Sequence, residues 1–143
     1  MLLSFLLSLM IVGQVSYPPS QITLSVSNIT SVEGMIWIGI YDAQENFLIK
    51  EKAIIKGYRI NHPGKMRIAL TDLPYGTYAI AVFHDTNNNG QLDQNILGVP
   101  VEPFAFTKKP PSKFRLPTFH EVSHILYPEM GTINVTLKKW WKH

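Results

Sequence analysis

From Gln21 to Asn28 the chain alternates, with Ile22, Leu24 and Val26 on one side and Thr23, Ser25 and Ser27 on the other. A period of two sends successive side chains to opposite faces of an extended backbone, so this segment reads as a strand with one buried face. The same pattern returns at Lys65–Leu70, where Met66, Ile68 and Leu70 oppose Lys65, Arg67 and Ala69, and at Thr132–Leu137, where Ile133, Val135 and Leu137 share a side. Met35–Tyr41 is apolar on both faces and belongs in the middle of a sheet, with Gly39 marking a bulge or a close backbone approach. Gly76–Phe83 is a further strand. Its Tyr78, Ile80 and Val82 face the core, while small Ala79 and Ala81 leave room for another layer. Two weaker segments follow the same reading: Phe47–Lys56, centred on Ala53-Ile54-Ile55, and Glu121–Tyr127.

Turn-forming residues separate these runs at Glu33-Gly34, Asp42–Asn46, His62-Pro63-Gly64, Asp72–Gly76 and Pro128–Gly131. No segment carries a sustained i, i+3, i+4 apolar period, and no segment repeats. The expected fold is all-β: a single antiparallel β-sandwich of about seven strands, transthyretin/prealbumin-like or Ig-like. One stretch departs from the pattern. From His84 to Phe119 neither period persists and Gly, Pro and Asn recur, which predicts one long irregular loop, 84–119, that is functional or held by something other than ladder pairing.

At 143 residues, with 45% hydrophobic and 16% charged, the chain suits one domain with a real core. Absence of cysteine excludes disulfides, thiolate metal sites and cysteine nucleophiles. The net charge of +3 comes with no interleaved basic and aromatic binding surface and no nucleic-acid-binding motif, so no nucleic-acid partner is expected. Leu2–Val12 is an apolar run too short to span a bilayer, followed by Gly13, Gln14, Ser16 and then Pro18-Pro19. We read residues 1–16 as a signal peptide and 17–143 as the mature domain, exported to the periplasm or secreted.

The candidate chemistry lies in His84–Asp93, H-D-T-N-N-N-G-Q-L-D. A hard cation takes six to eight oxygens, and a loop with oxygen ligands at alternate positions and glycine at the tight point can supply them. Asp85, Asn87 and Asn89 hold the first, third and fifth places, Gly90 the sixth, the Gln91 carbonyl the seventh and Asp93 the ninth. Ile96 stands at the twelfth place and no helices flank the loop, so this is no EF-hand. Glu102 would close the site if the chain folds back through Gly98 and Pro100. A structural calcium ion is the expected cofactor, bound weakly because asparagines lower the ligand charge. The plain alternative is an Asx-bonded surface turn without metal.

These residues also carry a resemblance. Leu73-Pro74-Tyr75-Gly76-Thr77-Tyr78-Ala79, Val82-Phe83-His84-Asp85, Asn87-x-Asn89-Gly90-x-Leu92-Asp93, Asn95, Gly98-Val99-Pro100, Glu102 and Phe106 together resemble the DUF2141 family of exported bacterial proteins of unknown function. The resemblance implies a small exported β-sandwich, similar in outline to prealbumin-like or carboxypeptidase-regulatory-like modules, with no established activity. After Phe106 the family's usual Ser-Asn gives way to Thr107-Lys108-Lys109.

Other residues invite chemistry and are weighed against it. His84 beside Asp85 lacks a nucleophile setting, and alternation separates the two side chains, so no catalytic residue is assigned and His84 is expected to anchor the loop by a hydrogen bond. His120-Glu121-x-x-His124 satisfies H-E-x-x-H literally, which makes a metal-dependent hydrolase the enzymatic alternative; it needs a helix. On a strand the two histidines stand about 13 Å apart and share no ion. The tail Lys138-Lys139-Trp140-Trp141-Lys142-His143 suits weak contact with a membrane interface, and Lys108, Lys109, Lys113 and Arg115 suit a solvated face or an acidic polymer. The leading expectation is a noncatalytic exported binding module. A structural or adhesive envelope component, with an envelope protein or polysaccharide as partner, is the remaining alternative.

Overall fold

The computed structural model describes residues 20–127 and 129–142, so the expected signal peptide lies outside the described residues. Strands β1 (Ser20–Ile29), β2 (Met35–Tyr41), β3 (Ile54–Arg59), β4 (Gly64–Leu73), β5 (Gly76–Asp85), β6 (Phe104–Phe106), β7 (Ser123–Leu126) and β8 (Thr132–Thr136) form two sheets, with one short helix α1 (Phe119–Val122) before β7. A three-stranded sheet has the order β4-β1-β8. The five-stranded sheet runs β3-β2-β5, and β6 and β7 share the far edge of β5, pairing with Ala81–Phe83 and Gly76–Ala79 respectively. The sheets pack as an all-β sandwich.

The period-two faces are what seal it. Ile22, Leu24 and Val26 of β1, Ile36, Ile38 and Ile40 of β2, Ile80 and Val82 of β5, and Ile133 and Val135 of β8 are buried in one cluster between the sheets. Each such side chain contributes about 1.5–3 kcal/mol by leaving water. Ala105 of β6, within the stretch expected to be one loop, joins the same cluster. A second cluster lies on the outer face of the larger sheet, where Ala79, with Ala81 beside it, lets Tyr41, Phe119, Val122 and Phe47 pack down closely. The space left by these alanines is occupied as their size predicts.

Three expectations are corrected. β1 pairs antiparallel with β4 but parallel with β8, because the turn after β7 carries the chain into the other sheet and β8 meets the open edge of β1 rather than a hairpin partner. β3 begins at Ile54 and reaches Arg59, later than the Ala53-Ile54-Ile55 centre predicts; Ile54 and Ile55 are exposed, since an edge strand is held by its ladder to β2. Glu121–Tyr127 is split between α1 and β7. Gly39 sits in regular register, and its role is the close approach: a Cβ there would meet the Tyr41 hydroxyl at 3.1 Å.

The β5–β6 loop, candidate cation site

β5 ends with His84 on the inner face and Asp85 on the outer, both with 0% exposure. The His84 Nε2 lies 2.8 Å from the Glu33 carbonyl, which only accepts, so Nε2 carries the proton; Nδ1 is buried without a partner. His84 therefore anchors the β1–β2 turn rather than the loop. The loop is tied instead by its main chain, His84 N–H donating to the Pro103 carbonyl.

Asp85 organises the first half of the loop. Its Oδ1 accepts from Asn89 N–H (3.1 Å), and its Oδ2 from Gly90 N–H (2.7 Å) and from the Trp37 indole Nε1–H (3.0 Å). Bringing those amides round requires left-handed backbone at Asn88 (φ 60°) and Gly90 (φ 75°), the conformation asparagine and glycine tolerate best. Asn87 Oδ1 accepts from Asn89 N–H, and Asn89 Oδ1 from Gln91 N–H, two successive Asx turns. Both amide groups then converge on Asp93, Asn87 Nδ2 at 2.6 Å and Asn89 Nδ2 at 2.8 Å.

The second half folds back as Gly98 and Pro100 predict. Gln94 bridges Pro100, Val101 N–H donates to the Asp93 carbonyl, and Asn95 Oδ1 braces the tip by accepting from Leu97 and Val99 N–H. This return delivers Glu102, 4% exposed, behind Asp93. Its Oε1 accepts from Thr86 N–H (2.7 Å) and Thr86 Oγ1–H (2.9 Å), its Oε2 from Asp93 N–H (3.1 Å). Glu102 thus clamps the two ends of the turn.

Asp85, Asn87, Asn89, Gln91, Asp93 and Glu102 are accordingly joined in one hydrogen-bonded unit. Among the described residues no lysine, arginine or histidine forms an ion pair with its carboxylates; the ion pair present joins Arg115 and Glu121. Lys50 comes to the loop, but its ammonium donates to the Gly90 carbonyl. The donor set is all hard oxygen. Each carboxylate and amide oxygen has two lone pairs, so Asp85 Oδ1, both Asp93 oxygens and the asparagine carbonyls retain acceptor capacity after the bonds above. No three histidine, aspartate or glutamate side chains among the described residues converge to hold a metal by themselves, so a cation here would depend on the asparagine and main-chain oxygens.

Sequence reasoning did not find Trp37, Thr86 or Lys50. Asn95 with Gly98 carries a visible turn signature. Trp37 carries none, since its pairing with Asp85 follows from the β2–β5 register, in which Trp37 stands opposite Phe83 and Met35 opposite Asp85.

The H-E-x-x-H segment does not form the helical metal site. α1 stops at Val122, and His124 lies on β7 with Nε2 3.2 Å from the Thr107 carbonyl. Glu121 is engaged by Arg115 through two bonds of 2.8 and 2.6 Å and accepts from Thr118 N–H at 2.8 Å. The Arg115 guanidinium first, and the Thr118 amide after it, hold the Glu121 carboxyl at about 2, well below the ordinary value.

Comparison with family models matches residues 24–134 to an uncharacterized protein family conserved in bacteria, DUF2141. The chain belongs to the DUF2141 family. The matched range takes in β2 to β7, most of β1, the start of β8 and the whole β5–β6 loop, so in this DUF2141 member the Asp85–Glu102 unit is part of the family region. Comparison with curated proteins and with solved structures returned no match.

Proposed function

We propose that this protein is a noncatalytic exported β-sandwich module whose β5–β6 loop is ordered by a structural calcium-type cation. The observation that carries the reading is the oxygen-rich hydrogen-bonded unit that joins Asp85, Asn87, Asn89, Asp93 and Glu102, in which Asp85 and Glu102 are nearly fully buried and no cationic side chain is paired to the carboxylates among the described residues. Asp85 and Glu102 each accept three hydrogen bonds, and a divalent ion amid the asparagine oxygens would add the opposite charge that those neutral donors do not. Asp85, Asn87, Asn89, Asp93 and the Gln91 carbonyl would be its ligands, with Glu102 fixing the Asp93 main chain. The ion's contribution is constraint: it offsets the entropy of ordering a loop with few buried apolar residues. Two asparagines in the set point to affinity of about 10⁻⁴–10⁻³ M, in the range of extracellular modules.

The test is thermal unfolding and limited proteolysis of calcium-loaded and chelator-treated protein. Calcium is expected to raise the melting temperature and protect the exposed Ile96–Leu97 tip from cleavage. Identical behaviour of the two samples in both assays would sink the reading. A second reading, an adhesive envelope component, is favoured by that same tip, where Ile96 and Leu97 stand in solvent on a braced turn. Replacing both by serine should then release the protein from an envelope fraction without changing its stability.

A further inference from the structure

Beside the antiparallel bridge that joins Phe104 of β6 to Lys138 just after β8, a groove of about 190 Å³ is lined by Phe106, Thr107, Lys109, Pro110, Thr136 and Lys138, among others. It brings Thr107, Lys109 and Pro110 beside Lys138, so the loop that runs on to residue 118 and the tail that runs on to residue 142 both leave from its rim. Neither contains an aspartate or glutamate. Lys108, Lys109, Lys113 and Lys139 are exposed, whereas the charge of Arg115 is engaged by Glu121. Large apolar side chains stand among these lysines: Phe114 is 87% exposed, Leu116 70% and Trp141 60%. The Lys113 ammonium sits 5.6 Å over the Phe114 ring and that of Lys139 5.3 Å over the Trp141 ring, so charge and apolar surface are presented together.

We propose that this basic, apolar edge is a docking surface for an anionic lipid bilayer. An acidic peptide would answer the lysines, but Phe114, Leu116 and Trp141 project outside the groove and would gain nothing from it. A bilayer answers both features: lipid headgroups meet the ammonium groups while the rings and leucine enter the interfacial layer, where tryptophan and lysine stems are favoured. One short basic tail binds such a surface weakly. Two segments flanking a common groove bind together, the second contact being intramolecular once the first is made. The proposal does not rest on the cation reading.

The experiment is co-sedimentation of the full chain with phosphatidylcholine vesicles, with and without phosphatidylglycerol, in chelator so that calcium bridges no headgroups. The full chain carries the apolar Leu2–Val12 run, so the readout is the excess binding to anionic over neutral vesicles. That excess is expected to fall with salt, and to drop on the order of a hundredfold when Lys108, Lys109 and Lys113 are all replaced by glutamine. Phe114→Ser with Leu116→Ser should reduce it at an unchanged melting temperature. Equal binding to both vesicles, an excess untouched by either variant, or displacement by polyglutamate with the serine variant binding as before would overturn the proposal.

Discussion

The Trp37 indole N–H, on the second strand, donates to Asp85 Oδ2 at 3.0 Å across 48 positions of sequence, and so joins the sheet to the loop that leaves it. The indole lies beneath the turn and holds the carboxylate from which Asn89 and Gly90 hang. The loop's conformation is therefore set from a strand at its base as well as from its own residues.

Removing that donor should be felt in the loop. Trp37→Phe keeps an aromatic ring against the sheet but leaves a buried carboxylate short of one partner, a loss of about 1–3 kcal/mol. The check is the urea midpoint at unchanged slope, together with faster proteolysis near Ile96. A variant as stable and as resistant as the parent would show that the bond contributes nothing.

Asp93 is where the cation reading and the turn's hydrogen bonds meet. Asp93→Asn removes one anionic ligand and, because its amide offers a single acceptor oxygen, also one of the two bonds from the Asn87 and Asn89 amides, and ligand charge governs affinity. The calcium-induced rise in melting temperature should vanish in this variant and persist in Lys50→Gln, whose side chain reaches only the Gly90 carbonyl.

Gly34 is predicted to be intolerant. It adopts φ 76°, and a Cβ there would fall 1.8 Å from the Asp85 carbonyl oxygen, a main-chain atom that cannot move without breaking the β2–β5 pairing. Gly34→Ala should cost at least about 2 kcal/mol, from backbone strain plus the clash. Gly90→Ala, at φ 75° but with nothing within 4 Å, should cost less and act mainly on the loop. Comparing their denaturation midpoints checks the ordering.

The Arg115–Glu121 pair gives a pH signature. The folded carboxyl titrates at about 2 against an ordinary value of 4.5, so its contribution is fully present above 4.5 and lost as the pH falls toward 2. The group is exposed and the effect small. Parent and Glu121→Gln proteins should differ in unfolding midpoint near neutrality and converge through that acidic window. A gap that stays constant with pH would remove the charge from the explanation.

Much was legible in the chain because a period of two is a local property. Ile22-Leu24-Val26, Met66-Ile68-Leu70 and Ile133-Val135-Leu137 declare which face is buried whatever they pair with. The spacing of Asp85, Asn87, Asn89 and Gly90 likewise declares a turn that feeds its own amides to its own side chains. The fold-back through Gly98 that brings Glu102 to Asp93 was also written in residue type.

Tertiary structure decided the rest, since it turns on partners far away in sequence. Parallel pairing of β8 with β1 joins Thr23 to Thr132, and no local pattern encodes that choice. Edge position left Ile54 and Ile55 in solvent although their sequence looks like core. The four residues of α1 and the three of β6 are too short to show a period and exist through what they meet, Tyr41, Ala79 and Phe47 for the one and β5 for the other. The sequence alone determined which residues could bury and which could turn. The partners of His84 and Asp85, a carbonyl on one face and an indole on the other, were fixed only when long-range strand register placed them there.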